Sequence, residues 1–161
     1  MKILLSLGRR HKALGVVLCF FGTLCAWPVS VAAQGTAVEI ETLLASDAIT
    51  YAQASRFVLE AADVAAFDDH YEAFRFAMER NWLPRNASPY APARLDGISL
   101  LVMRSFGLRG GILFTITGSA HFAYREMEYM DFIHGRISPR QRVSGDTLLY
   151  LTGRVLAHLE N

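Results

Sequence analysis

Two residue types disappear from this sequence after Cys25. Both cysteines, Cys19 and Cys25, and both lysines, Lys2 and Lys12, lie in that N-terminal part. The rest of the chain therefore has no disulfide, no thiolate nucleophile and no thiolate metal ligand. Its basic side chains are all arginines, whose guanidinium groups stay charged and bind carboxylates and hydroxyls through a planar fork.

The chain after Ala33 also lacks an excess of positive charge. Four of the 16 basic residues lie before this point, which leaves 12 arginines against 15 acidic residues and a formal charge of about −3. Nucleic-acid-binding domains instead carry a basic patch or stripe. We therefore expect no nucleic-acid partner.

The segment from Met1 to Ala33 shows the order of charge, apolarity and small residues that is typical of a secretory signal peptide. A basic stretch precedes an apolar one from Ala13 to Trp27, which is short for a membrane span of roughly 20 residues. Pro28 breaks any helix, and residues 31–33 supply small side chains for cleavage. The sequence thus predicts a signal peptide at 1–33. It also predicts an exported protein of residues 34–161, periplasmic or associated with the cell envelope, that does not span the membrane.

Three other interpretations of the N-terminal segment are open. Without cleavage, the segment would act as an anchor. A twin-arginine signal at Arg9 and Arg10 is disfavoured because basic residues follow where apolar ones are expected. Lipidation of Cys25 is disfavoured because the preceding Leu24 is large, whereas lipidation sites have a small residue there.

Apolar residues at spacings of three and four dominate the remaining sequence and predict an all-α fold. The capping box Thr50-Tyr51-Ala52-Gln53 predicts the start of one helix, and acidic or hydroxyl residues predict four more starts. The expected helices run from Thr50 to about Ala62, from Asp68 or Asp69 to Trp82, from Asp96 to Gly107, from Ser119 to His134, and onwards from Ser144.

The segment from Gly111 to Gly118 fits two secondary structures. Its four large apolar residues and its threonines are compatible with a strand. No second good strand exists in the sequence to pair with it, and a lone strand leaves backbone groups without hydrogen bonds. We therefore predict a short, buried helical turn.

An internal repeat relates these helices. Residues 94–101 match residues 142–149 at an offset of 48, with arginine, aliphatic, cap, glycine, hydroxyl and leucine positions in the same order. Asp96 and Ser144 are then expected to cap equivalent helices. A Ser-Pro loop precedes both segments, and residues 49–52 repeat the pattern at an offset of 46. The predicted architecture is a compact bundle of two and a half to three helix-loop-helix repeats in one domain, with units at about 36–66, 67–110 and 119–161.

This unit resembles the S-layer homology repeat. In that family an amphipathic helix leads through a proline-containing loop into a second helix that opens with a Thr-Arg-Ala-Glu motif. The corresponding segments here are Thr50–Gln53, Asp96–Ser99 and Ser144–Thr147. The resemblance implies a pseudo-threefold bundle that holds proteins on cell-wall polysaccharide.

The sequence departs from the family at the motif arginine, which helps to bind the polymer. The residues at this position are Tyr51, Gly97 and Gly145. The resemblance therefore implies the architecture more strongly than it implies the polymer contact. The segment from Tyr124 to Leu156 is also similar to small exported proteins of spirochaetes.

No motif of the sequence predicts catalysis, a cofactor or a metal. The histidines are scattered without metal-ligand spacing, and Asp68-Asp69-His70 suits a helix start. Neither a Gly-x-Ser-x-Gly elbow nor a phosphate-binding loop occurs. We expect no cofactor, no metal and no enzymatic activity. The alternative is a small periplasmic glycan hydrolase with Glu79 or Glu126 as its acid.

Arginine and aromatic side chains gather in the loops between the predicted helices. Aromatic rings stack on sugars, and guanidinium groups bind carboxylates and hydroxyls. The candidate ligand-binding residues are Trp82, Arg85, Tyr90, Arg94, Arg136 and Arg142. The simpler interpretation of Trp82 is packing against the core. The sequence thus predicts a non-catalytic envelope module that binds peptidoglycan or another envelope glycan or protein. The remaining alternative is a structural assembly subunit without a ligand site.

Overall fold

A computed structural model describes residue 38 and residues 40–135 and 137–160 of the chain. Seven helices and no strand occur among these residues, so the predicted all-α class is confirmed. The predicted signal peptide at 1–33 lies outside the described residues. The helices are α1 (residues 40–44), α2 (Tyr51–Ala61), α3 (His70–Glu79), α4 (Leu95–Ser105), α5 (Ile112–Thr117), α6 (Ala120–Tyr129) and α7 (Gly145–Leu159).

The helix α4 forms the centre of the fold. Nine of its 11 residues are buried, which is expected of a helix that is covered on most sides. It packs against α2 and α6, while α3 packs against α2 and α5 against α6. Within the described part of the chain, no helix is long and apolar enough to cross a membrane.

Four helices begin at the side-chain caps that the sequence predicts. The Thr50 hydroxyl accepts from the Gln53 N–H, and the Gln53 side chain accepts from the Thr50 N–H at 3.0 Å, which completes the capping box. Asp69, Ser119 and Ser144 each accept from a backbone N–H in the first turn of their helices. These contacts are local, which is why the sequence suffices to locate them.

The prediction that Asp96 caps α4 is wrong. The N-cap is Arg94, whose side chain makes no capping hydrogen bond. The loop before α7 caps the helix instead, because the Leu95 N–H donates to the Gln141 carbonyl at 2.9 Å and the Asp96 N–H donates to the Pro139 carbonyl at 2.8 Å. With these N–H groups already bonded, α4 does not need a side-chain cap.

Two helices end earlier than predicted, and for the same reason. The α3 helix ends at Glu79, not Trp82, because Asn81 takes a left-handed backbone (φ 56°) and the Trp82 N–H folds back onto the Ala77 carbonyl. The α6 helix ends at Tyr129, not His134, through the same turn with Asp131 at φ 62°. Asparagine and aspartate tolerate this conformation better than most residues do.

The segment from Gly111 to Gly118 is helical as predicted, but the prediction that it is buried is wrong. Its helix, α5, buries Phe114, whereas Ile112 and Ile116 are 78% and 77% exposed. A short helix that rests on one neighbour has room to bury only one of its faces.

Three chain segments meet at the centre of the molecule in a closed ring of backbone hydrogen bonds. The Ile49 N–H donates to the Val143 carbonyl, the Val143 N–H to the Ala93 carbonyl, and the Ala93 N–H to the Ile49 carbonyl, at 2.8–2.9 Å. All three residues are buried. Each directly precedes the N-cap of a helix, so α2, α4 and α7 start around one point.

The first helical residues link the same three segments in the opposite cyclic order. The N–H groups of Tyr51, Leu95 and Gly145 donate to the carbonyls of Ala91, Gln141 and Ser46. Corresponding residues are therefore 44 apart between the first two segments (Ile49 to Ala93) and 50 apart between the last two (Ala93 to Val143).

The offsets of 46 and 48 that the sequence predicts are thus wrong by two. The counterpart of Arg94 is the cap residue Ser144. Arg142 lies opposite Arg94 in an antiparallel bridge instead of corresponding to it. The sequence match aligns Arg94 with Arg142. The structure instead aligns the N-cap residues Arg94 and Ser144.

Candidate functional site

A polar groove of about 400 Å³ lies between the start of α2, the loop at 84–92 and the start of α6. The start of α4 forms its floor. Hydroxyl, amide, imidazole, guanidinium and carboxylate groups are all present in its lining, so the groove can both donate and accept hydrogen bonds. The polar lining residues are Tyr51, Asn86, Ser88, Arg94, Asp96, Ser119 and His121.

Arg94 and Asp96 form an ion pair in this groove. The guanidinium Nη2 of Arg94 lies 2.6 Å from the Asp96 carboxylate, whose side chain is 14% exposed. The second Asp96 oxygen accepts from the Gly97 N–H at 2.8 Å. The carboxylate therefore holds the arginine in one orientation at the start of α4.

The Nε–H of Arg94 is buried and has no hydrogen-bond acceptor among the described residues. A buried donor without an acceptor costs about 1–3 kcal/mol. The side chain as a whole is 38% exposed, so other parts of it reach the surface. Arg94 therefore keeps donor capacity beyond its pair with Asp96.

Tyr51 connects α2 to the Arg94 backbone. Its hydroxyl accepts from the Arg94 N–H at 3.3 Å. Burial, the largest cause, raises the pKa of the Tyr51 phenol above its ordinary value of 10.0, so the hydroxyl keeps its proton at neutral pH. The ring lies against Gly97, where an added Cβ would come within 2.5 Å of the hydroxyl oxygen. Gly97 thus makes room for the Tyr51 side chain.

A second groove of about 330 Å³ lies between the start of α4, the residues after α6 and the start of α7. It is related to the polar groove by the same correspondence of helix starts. By the offsets of 44 and 50, Leu95 lies there in the position of Tyr51, and Asp146 lies in that of Asp96. Its lining is mainly apolar, with Phe132, Ile133, Ile137 and Leu151. The two grooves share a place in the fold but not a chemistry.

A charged cluster borders this apolar groove. The Asp131 carboxylate lies 3.0 Å from Nδ1 of His134 and 3.6 Å from Nη2 of Arg154. Arg154 also contacts His134 Nε2 and donates to the Tyr150 hydroxyl at 3.0 Å. No local pattern in the sequence indicates this cluster, because Arg154 is distant from His134 along the chain. Its members are bonded to one another.

Of the residues predicted to bind a ligand, Arg94 lines the polar groove. Trp82 is half-buried and packs edge-on against Phe76 at 6.1 Å between ring centroids, in agreement with the simpler interpretation. Arg85 and Tyr90 are exposed on the loop whose other residues line the groove. Arg142 is exposed beside Arg94, and Arg136 lies outside the described residues.

Asn86, Ser88 and His121 carry no motif that marks them as site residues. They come from separate segments, the loop at 84–92 and the start of α6, so only the fold brings them together. Tyr51 stands out in the sequence as a departure from a motif and not as part of a site.

The two candidate acids of a hydrolase lie outside both grooves. Glu79 pairs with Arg75 at 3.5 Å on the exposed side of α3, and Glu126 lines a different cavity between α5 and α6. No group of three metal-ligating side chains occurs in the described part of the chain.

No family model, curated protein or solved structure matches this chain.

Proposed function

We propose that this protein is a non-catalytic module of the cell envelope that binds a glycan in the polar groove. The observation that carries the proposal is Arg94, which Asp96 holds in place and whose Nε–H is buried without an acceptor among the described residues. Glycans supply hydroxyl and carboxylate oxygens, which are the acceptors that a guanidinium binds well.

The architecture that we propose for this module is three helix-loop-helix repeats around an approximate threefold axis. The repeats are α1 with α2, α3 with α4, and α6 with α7, while α5 is an addition between the second and the third. The cyclic hydrogen bonds among Ile49, Ala93 and Val143 support this arrangement. Such a bundle is what the S-layer homology resemblance implies, with Arg94 in place of the missing motif arginines.

Binding is favoured over hydrolysis by the carboxylates of the polar groove. Two-carboxyl glycosidases need a second carboxyl group within roughly 5–10 Å of the first. Among the described lining residues of the groove, Asp96 is the one that carries a carboxyl group, and Arg94 neutralises it. The proposal also includes export, which rests on the signal-like segment at 1–33.

Sedimentation of the mature protein with purified peptidoglycan tests the proposal. The test variant is Arg94→Lys, which keeps the positive charge beside Asp96 but removes the guanidinium fork. We expect it to lower the affinity at least about tenfold, which corresponds to roughly 1.4 kcal/mol.

The matched control is Arg85→Ala, which removes an exposed arginine from the loop at 84–92 without touching the lining of the groove. We expect its affinity to equal that of the unchanged protein. Equal binding by a folded Arg94→Lys variant, or equal losses in both variants, would contradict the proposal.

A further inference from the structure

The apolar surface of α5 has no partner among the described residues. Four of its six residues are large and apolar, yet it buries Phe114 alone. Ile112 and Ile116, one helical turn apart, form a ridge, and Leu113 beside them is 58% exposed. Nearby on α6, Tyr129 is 87% exposed. Clustered exposed apolar side chains of this kind mark an interaction surface.

A cavity of about 620 Å³ lies directly beside this ridge, between α5 and α6. Its lining combines the apolar side chains of Ile112, Leu113, Phe122 and Tyr129 with the charged side chains of Arg125 and Glu126. One face of the molecule thus carries a protruding apolar ridge and an apolar groove next to each other. It shares no lining residue with the polar groove.

We propose that a second copy of this chain covers the α5 face in a twofold symmetric dimer. In such an interface the same patch meets itself, so it has to contain both a protrusion and the recess that receives it. The ridge of α5 and the adjacent groove meet this requirement, with the Ile112–Ile116 ridge of each copy seated in the groove of the other.

The charges at the groove support a second copy over other partners. Arg125 and Glu126 are adjacent and of opposite sign, so twofold pairing sets each arginine against a carboxylate of the other copy. Within its own chain, Arg125 reaches Glu128 at only 4.0 Å, and its side chain is 66% exposed. An anionic lipid surface fits less well, because Glu126 and Glu128 lie at the same place and the chain after Ala33 is acidic.

The test is the sedimentation coefficient of the exported protein, expressed with its own N-terminal segment, across a wide range of concentration. We expect a monomer–dimer equilibrium for the unchanged protein. Ile116→Glu should raise the dimer dissociation constant at least about tenfold, since it places a charge in the apolar contact. The matched control is Leu159→Glu, which changes an exposed apolar residue of α7 outside this face and should leave the equilibrium unchanged.

A charge exchange identifies the pairing. Arg125→Glu and Glu126→Arg should each weaken the dimer, because each leaves like charges opposed, whereas the double variant should restore it. A monomer at every concentration would overturn the proposal, and so would a double variant no better than the singles. A monomer that instead sediments with anionic lipid vesicles would overturn it in favour of a membrane surface.

Discussion

At the scale of single residues, the polar groove is organised by Arg94, Asp96 and Tyr51. Asp96 fixes the guanidinium, and the Tyr51 hydroxyl accepts from the Arg94 N–H. The three residues come from two helix starts that are distant along the chain, so the site depends on how α2 and α4 pack together. Substitutions here should therefore change stability as well as binding.

Tyr51 makes stability depend on pH in alkaline solution. Its pKa is raised in the folded protein by burial, so above about pH 10 the unfolded chain loses the phenolic proton while the folded protein keeps it. The stability that the protonated phenol contributes is complete below about pH 10 and declines as the pH rises further. Tyr51→Phe should reduce this decline, measured by urea unfolding at several pH values. Tyr90→Phe, at a 76% exposed residue, is the control. An unchanged alkaline decline in Tyr51→Phe would contradict this account.

Ser144 provides a second test at this scale, because it is the side-chain cap of α7. Its hydroxyl accepts from the Thr147 N–H at 3.3 Å. Ser144→Ala should lower the free energy of unfolding by about 0.5–2 kcal/mol, whereas Ser144→Thr, which keeps the hydroxyl, should lose much less. Chemical denaturation of both variants measures the difference, and equal midpoints would show that the cap does not stabilise the helix.

At the scale of elements, helix starts that are capped locally could be predicted from the sequence, and those capped from elsewhere could not. Thr50, Asp69, Ser119 and Ser144 act within their own first turns. The start of α4 receives its acceptors from the loop before α7, which is distant along the chain. No local pattern in the sequence indicates such a contact. The sequence therefore predicts that Asp96 caps α4, whereas carbonyl groups of the distant loop cap it.

The start of α7 packs closely against α1 at Gly145. An added Cβ at Gly145 would overlap the Leu43 carbonyl oxygen, which is backbone and has little freedom to move. Gly145→Ala should therefore destabilise the protein by about 1–3 kcal/mol.

Gly153→Ala is the matched control on the same helix. Gly153 is exposed in α7 and an added Cβ meets nothing within 4 Å, so alanine there should stabilise by about 0.5–1 kcal/mol. Thermal or urea melts of both variants measure the two shifts. Shifts of the same sign and size would show that α1 does not pack on α7 as described.

At the scale of the whole molecule, the ring formed by Ile49, Ala93 and Val143 relates the starts of α2, α4 and α7. The helix starts recur in the sequence, because each requires an aliphatic residue before the cap. The loops that link them differ in length, which shifts the corresponding positions to offsets of 44 and 50. Residue similarity along the chain could not reveal this shift. It also could not show that the residues lining the polar groove lie close together in the fold.

The ring also explains why the two grooves differ in chemistry. Their places are set by backbone hydrogen bonds, which leave the side chains around them free to vary. Tyr51 and Arg94 line the polar groove, whereas the other groove has Leu95 in the position of Tyr51 and does not include Ser144, the counterpart of Arg94, in its lining. We therefore assign the glycan to one groove alone.

The most direct test of this assignment is an amide NMR titration of residues 34–161 with soluble fragments of peptidoglycan. We expect the largest shifts at residues around the polar groove, namely Asn86, Ser88, Arg94 and His121, and small shifts on α5 and around Ile133 and Tyr150. Shifts concentrated at the apolar groove or on α5, or no shift at saturating fragment, would contradict the claim that the polar groove binds an envelope glycan.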